Sequence, residues 1–292
     1  MAIDLLAAFE NEPPALDFIW PGFLAGTVGA LVAPGATGKS FWALEAAMTV
    51  ACSVPGGDVI ALMPQHTGAV LYLAGEDPAP ALVRRVHAIG KYLSDDARVA
   101  IAERLTLEPI MGLGFDVMKH TQFERLVEQC RGHRLIVLDT LSRIHQLDEN
   151  SNSDMSRLTT TLERLAAQTG ASVLYLHHVS KLSARDGLAD QQQAARGASA
   201  LIDNARWCGY VAKMTEDEAE RLSDSSFGRA PIGADRRGYF VRFGVSKQNY
   251  CAMDTEKWLQ RDDGGVLRPV TLLKADMQSI KVRQTRRSAS GF

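Results

Sequence analysis

The chain has 292 residues, 46% hydrophobic and 23% charged, with a formal net charge of -2, the balance of an ordinary globular protein of one large or two small domains. Its four cysteines (Cys52, Cys130, Cys208 and Cys251) lie far apart with no CxxC pair, which argues against a zinc site or disulfide framework and fits a reducing cytoplasm. The start lacks the basic region of a secretory signal and no apolar run approaches a membrane span, so no membrane partner is expected, and any nucleic-acid binding must rest on local basic groups.

Apolar segments alternate with helical patterns, the mark of parallel βαβ units. Residues 3–9 form a short helix candidate, detached from the core by Pro13-Pro14. Residues 27–32 read as a buried strand, 35–38 as a turn and 39–52 as a helix. A second strand at 69–74 ends in Glu76-Asp77, and Pro78 sits where a helix can begin. Helical patterns follow at 83–93, 95–104 and 123–131, then a buried strand at 134–138 closed by Asp139-Thr140. Residues 154–168 predict a helix stopped by Gly170, and 172–176 a fifth strand. Residues 180–195 are polar and read as a long loop. Strands are expected at 207–214 and 239–246, antiparallel at the sheet edge, around a charged, turn-rich stretch at 215–238. A last strand is expected within 266–273, before a polar, basic tail. The expected organisation is an arm (1–15), an α/β core with a mostly parallel sheet and antiparallel edge strands (16–273), and a disordered tail (274–292).

The strongest chemical signal is Ala33-Pro34-Gly35-Ala36-Thr37-Gly38-Lys39-Ser40, between the first buried strand and its helix. Backbone N–H groups of such a turn and the helix N-terminus make an anion cradle, in which Lys39 reaches the β- and γ-phosphates of ATP and the Ser40 hydroxyl binds Mg²⁺. Ala33 replaces the first glycine of the strict pattern. Hydrophobics followed by Asp139 match the strand whose carboxylate completes a Mg²⁺ site. Glu76 is placed to orient and deprotonate an attacking water, or is a helix N-terminal acid; for Asp77 the second reading is favoured. His177-His178 offers a polar contact to a γ-phosphate, or a buried histidine at a strand end.

The order of AxxxxGKS, strand-Glu-Asp, LIVLDT and LYLHH, continued by DQQQAARGASALIDNARW and FVRFGVSKQNY, resembles the RepA replicative helicases of broad-host-range plasmids, over roughly residues 16–269. The resemblance implies a RecA-like P-loop core in a ring-shaped homohexamer that uses ATP and Mg²⁺ to move 5′ to 3′ on single-stranded DNA and open forked DNA. It implies Lys39 and Ser40 as phosphate and Mg²⁺ residues, Glu76 as catalytic base, Asp139 as the second acid, His178 as γ-phosphate sensor and Arg206 as the arginine finger given to a neighbour. The wider class carries Lys-x-Arg on a late strand. Here the sequence is Lys247-Gln-Asn249, so the finger is sought at Arg206, then Arg242, then Arg196. The polar loop would face the ring channel, with Lys181 and Arg185 on DNA phosphates. Replication-initiator and primase partners are expected. The rival readings are a RecA- or RadA-like recombination ATPase, a nucleotide switch without translocation, and a metabolic kinase, for which no acceptor motif is visible.

Overall fold

A computed structural model describes residues 2–179, 199–250 and 256–276. In chain order the elements are α1 (Leu5–Glu10), β1 (Phe18–Trp20), β2 (Phe23–Leu24), β3 (Val28–Ala33), α2 (Lys39–Ala51), β4 (Val70–Ala74), α3 (Ala79–Gly90), α4 (Asp95–Arg104) and β5 (Leu105–Pro109). They continue with α5 (His120–Cys130), β6 (Leu135–Asp139), α6 (Asn152–Thr169), β7 (Ser172–His178), α7 (Ser199–Asn204), β8 (Trp207–Lys213), α8 (Glu216–Arg221), β9 (Leu222–Ser223), β10 (Phe240–Gln248), β11 (Lys257–Arg261), β12 (Leu267–Val270) and β13 (Leu273–Lys274).

Nine strands form one sheet in the order β12-β11-β10-β8-β3-β7-β6-β4-β5. The six from β8 to β5 are parallel, while β10, β11 and β12 add antiparallel pairs on the C-terminal side. Every residue of β3, β4 and β6 is buried, because parallel strands covered on both faces carry continuous apolar runs. Side chains alternate between the faces. Leu31, Ala33, Tyr72 and Val137 meet α2, α3 and α4 on one face. Ala30, Val32, Leu71 and Ile136 meet α5, α6 and α7 on the other.

An aromatic cluster joins the β1–β2 hairpin to the sheet. Trp20 lies edge-on to Trp42 and Trp207 at 5.8 and 5.4 Å between ring centres, and Trp42 stacks on Phe243 at 4.5 Å. Gly29 admits this close approach, since a Cβ there would meet the Phe23 ring at 2.9 Å. Arg134 grips both carboxylate oxygens of Asp17 and the Phe18 carbonyl, tying the hairpin to the start of β6. Before it, α1 is capped by Asp4 and buries no residue.

The strands expected at 27–32, 69–74, 134–138 and 172–176 are β3, β4, β6 and β7, and α6 ends at Gly170 with φ 76°. Several expectations need correction. The helix expected at 83–93 is α3, which begins directly after Pro78 and ends at Gly90. Only β10 of the two late strands is antiparallel to its neighbours; β8 runs parallel to β3. Neither is outermost, because β11 and β12 lie beyond them. The stretch 215–238 holds α8, whose capping box joins Thr215 and Glu218. The loop expected at 180–195 and nearly all of the tail, with Lys181, Arg185 and Arg196, lie outside the described residues.

Candidate nucleotide-binding site

The carboxyl ends of β3, β4, β6 and β7 meet at one sheet edge, where parallel α/β sheets gather ligands. There the turn from Pro34 to Gly38 leads from β3 into α2. Ala36 (φ 57°) and Gly38 (φ 109°) adopt left-handed backbone, and the Thr37 hydroxyl donates to the Pro34 carbonyl at 2.8 Å. Gly38 caps α2 without a side chain, so the first amides of the helix are left without an intrahelical acceptor and can receive an anion. The turn borders an open groove of about 290 Å³ lined also by Lys39, Ser40, Glu76, Asp77, Arg85, His178 and Arg261.

Lys39 is 4% exposed and its Nζ has no hydrogen-bond partner among the described residues. Burial pushes its amine down to about 8, against the pull of Asp139 and Glu76. A buried cation without a partner is costly, and an anion in the groove would supply one. The Ser40 hydroxyl lies 3.3 Å from Asp139 Oδ1, while the Tyr72 hydroxyl donates to Asp139 Oδ2 at 2.6 Å. Burial raises the Asp139 carboxyl above its usual range, and the hydrogen bonds from Tyr72 and Ser40 and the charge of Lys39 oppose that rise. A serine hydroxyl beside a buried carboxylate, next to an unpartnered ammonium, suits Mg²⁺ bound with a polyphosphate.

Glu76 stands two residues past β4, and its Oε1 lies 3.4 Å from His178 Nε2 at the end of β7. Strand alternation turns the neighbouring His177 away. His177 is buried, and its imidazole is pushed down to about 4, chiefly by burial. The expected set of Pro34 to Ser40, Glu76, Asp139 and His178 is therefore brought together around one turn.

Arg206 is not part of it. Trp207 pairs with Gly29, and the Arg206 N–H donates to the Val28 carbonyl at 2.9 Å. Arg206 thus sits at the start of β3, the edge opposite the turn, exposed to solvent. Lys247, of the altered Lys-x-Arg position, donates to the carbonyls of Ile202 and Asp203 at 3.3 and 2.5 Å. It steadies the end of α7 just before Arg206, where a cation is favoured by the helix dipole. Arg242 lies on β10 between Glu218 (3.3 Å) and Glu256 (3.5 Å), outside the groove.

Three groove residues had no sequence motif to mark them. Arg85, on α3, pairs with Asp77 at 2.7 Å and lies over the Phe41 ring; Asp77 precedes the helix and serves as this partner rather than as a first-turn acid. Arg261, at the end of β11, donates to the Thr37 carbonyl at 2.8 Å, and its Nε is buried without a partner. Tyr72 faces Asp139 from a strand that reads only as apolar. A period-2 reading of 257–261 as a strand would have drawn attention to Arg261.

Residues 2–184 match the AAA_25 family model, described as an AAA domain. Among solved structures, the chain is similar to an isolated ATPase domain, with 13% identity, TM-score 0.58 and coverage of 91% of this chain and 96% of that one. It is similar to the RadB recombinase at 12% identity and TM-score 0.52, over 86% and 93% of the two chains. It is also similar to a DnaB-like replicative helicase described with its interactions with primase, at 13% identity and TM-score 0.60, over 91% of this chain and 66% of that one. These likenesses show a RecA-like fold. With a family match spanning more than half its length, the chain belongs to the AAA_25 family of AAA domains.

Proposed function

We propose that this chain is a ring-forming, ATP-hydrolysing replicative DNA helicase of the plasmid RepA kind. The observation that carries the reading is a division of labour across the sheet. Lys39, Ser40, Asp139, Glu76 and His178 line a groove at one edge, and Arg206 is presented at the other.

In the proposed mechanism the turn from Pro34 to Gly38 receives the phosphates of ATP and Lys39 neutralises their charge. Ser40 and Asp139 hold Mg²⁺, which lowers the charge on the triphosphate. Glu76 orients the attacking water and takes its proton, and His178, in contact with Glu76, senses the terminal phosphate. Arg206 comes from a second copy, because the start of β3 faces away from its own turn. Head-to-tail contacts of that kind close into rings, and a homohexamer is proposed. α1, with Ile3, Leu5, Leu6 and Phe9 all more than 60% exposed, supports the ring by packing on a neighbour; unchanged hexamers after deletion of residues 2–12 would dispose of that role.

Residues 180–195, with Lys181 and Arg185, face the channel and grip single-stranded DNA phosphates. Movement is 5′ to 3′, opening forked plasmid DNA in the cytoplasm with initiator and primase partners. The DnaB-like neighbour described with primase supports the last partner. Among the described residues no helix is long and apolar enough to cross a membrane. The deciding experiment compares ATP-driven unwinding of a forked duplex by the wild type and Lys39→Ala. Unwinding is expected only from the wild type, and equal activity in both would overturn the assignment. The likeness to the RadB recombinase favours a second reading, a recombination ATPase. Strand exchange without unwinding would select it.

A further inference from the structure

Tyr72 lies in the middle of β4, 1% exposed, on the face that packs against α2. Its companions on that face, Val70 and Ala74, are apolar. A phenol in such a place needs a hydrogen-bond partner, and it has one: its hydroxyl donates to Asp139 Oδ2 at 2.6 Å and lies 3.5 Å from the Ser40 carbonyl. Asp139 is itself 3% exposed, so water contributes little to holding its carboxylate. Its other oxygen, Oδ1, meets the Ser40 hydroxyl at the longer distance of 3.3 Å.

From this arrangement we infer that Tyr72 is a positioning residue, whose hydroxyl fixes the orientation of the Asp139 carboxylate for a divalent cation. The inference rests on the nucleotide reading above and adds to it a residue outside the recognised motifs. The two hydrogen bonds on Asp139 are not equivalent. Ser40 is itself a proposed metal ligand, so its hydroxyl is drawn away from Oδ1 when a cation binds. The Tyr72 bond does not compete with a cation. It approaches from the buried side and keeps the carboxylate plane fixed while Oδ1 turns to the cation's water shell. Groups that orient a metal-binding carboxylate commonly govern metal affinity as strongly as 10- to 100-fold.

Phe at position 72 keeps the ring and removes only the donor. The test is a calorimetric titration of a non-hydrolysable ATP analogue into the full chain, first in EDTA and then at stepped Mg²⁺ concentrations. Wild type, Tyr72→Phe and Asp139→Ala are compared, with thermal melting of each. In the wild type, nucleotide binding is expected to tighten with Mg²⁺. Tyr72→Phe should need about tenfold more Mg²⁺ for the same tightening, with binding in EDTA unchanged. Asp139→Ala should lose the Mg²⁺ dependence. A merely structural role for the hydroxyl would weaken binding equally with and without the cation. Equal Mg²⁺ midpoints in the wild type and Tyr72→Phe would overturn the positioning role and leave the nucleotide reading intact. A wild type indifferent to Mg²⁺ would overturn both.

Discussion

Replacing Arg206 by Ala, alone and together with a second mutant, separates a finger that acts between copies from one that acts within a chain. The geometry sets the expectation. Arg206 neighbours Val28 at the start of β3, and the phosphate turn begins after Ala33, five residues further along the strand. At about 3.3 Å per residue that is roughly 17 Å along the sheet, beyond the reach of a side chain pointing away from the turn. Arg206→Ala should therefore leave nucleotide binding intact and cut hydrolysis by about 10³-fold or more. Lys39→Ala, with an intact Arg206 but a disabled turn, should be inactive alone.

Equal mixing of the two variants then produces some interfaces in which an intact turn meets an intact arginine. Half of the turns and half of the arginines are functional, so about one quarter of interfaces are complete if copies assemble at random. The mixture should recover up to about that fraction of wild-type turnover, measured by phosphate release after subunit exchange. Turnover in Arg206→Ala alone equal to the wild type would refute the reasoning.

Glu45, 1% exposed on α2, accepts the Leu267 N–H at 2.9 Å, and burial raises its carboxyl well above 4.5. A raised folded-state value contributes stability that is lost as pH rises from the unfolded value through the folded one. Glu45→Gln keeps an acceptor for Leu267 and cannot ionise. Its melting temperature should gain on the wild type as pH rises above 4.5, and a widening deficit would contradict this. Arg261→Ala removes a donor to Thr37 and a cation from the groove, and should weaken nucleotide affinity about tenfold, as read by fluorescent-nucleotide titration. Neutralising Lys181 and Arg185 together should flatten the salt slope of single-strand binding by about 1.4 units; an unchanged slope would place the DNA site elsewhere.

The parallel core was legible because its strands are buried on both faces. Runs such as Leu135 to Leu138 carry no polar interruption, and the residues ending them stand at the ligand edge by the rule of parallel sheets. The late strands were harder. β5 and β11 alternate partly exposed residues with buried ones, and such short runs do not stand out from loops. The direction of β8 could not be read, because it depends on which neighbour it joins. The same limit applies to the site. Local motifs gave Lys39, Ser40 and Asp139, whereas Tyr72, Arg85 and Arg261 enter it through tertiary packing across 67, 8 and 224 positions to Asp139, Asp77 and Thr37.

The central claim is that ATP hydrolysis at the β3–α2 turn is completed by another copy and spent on moving DNA. It is tested most directly by following ATP turnover and fork opening in the same samples while mass photometry reports assembly. The account predicts that per-chain turnover rises with the fraction of hexamer, increases further with single-stranded DNA and accompanies unwinding. Full turnover from monomers, indifferent to DNA, would contradict it.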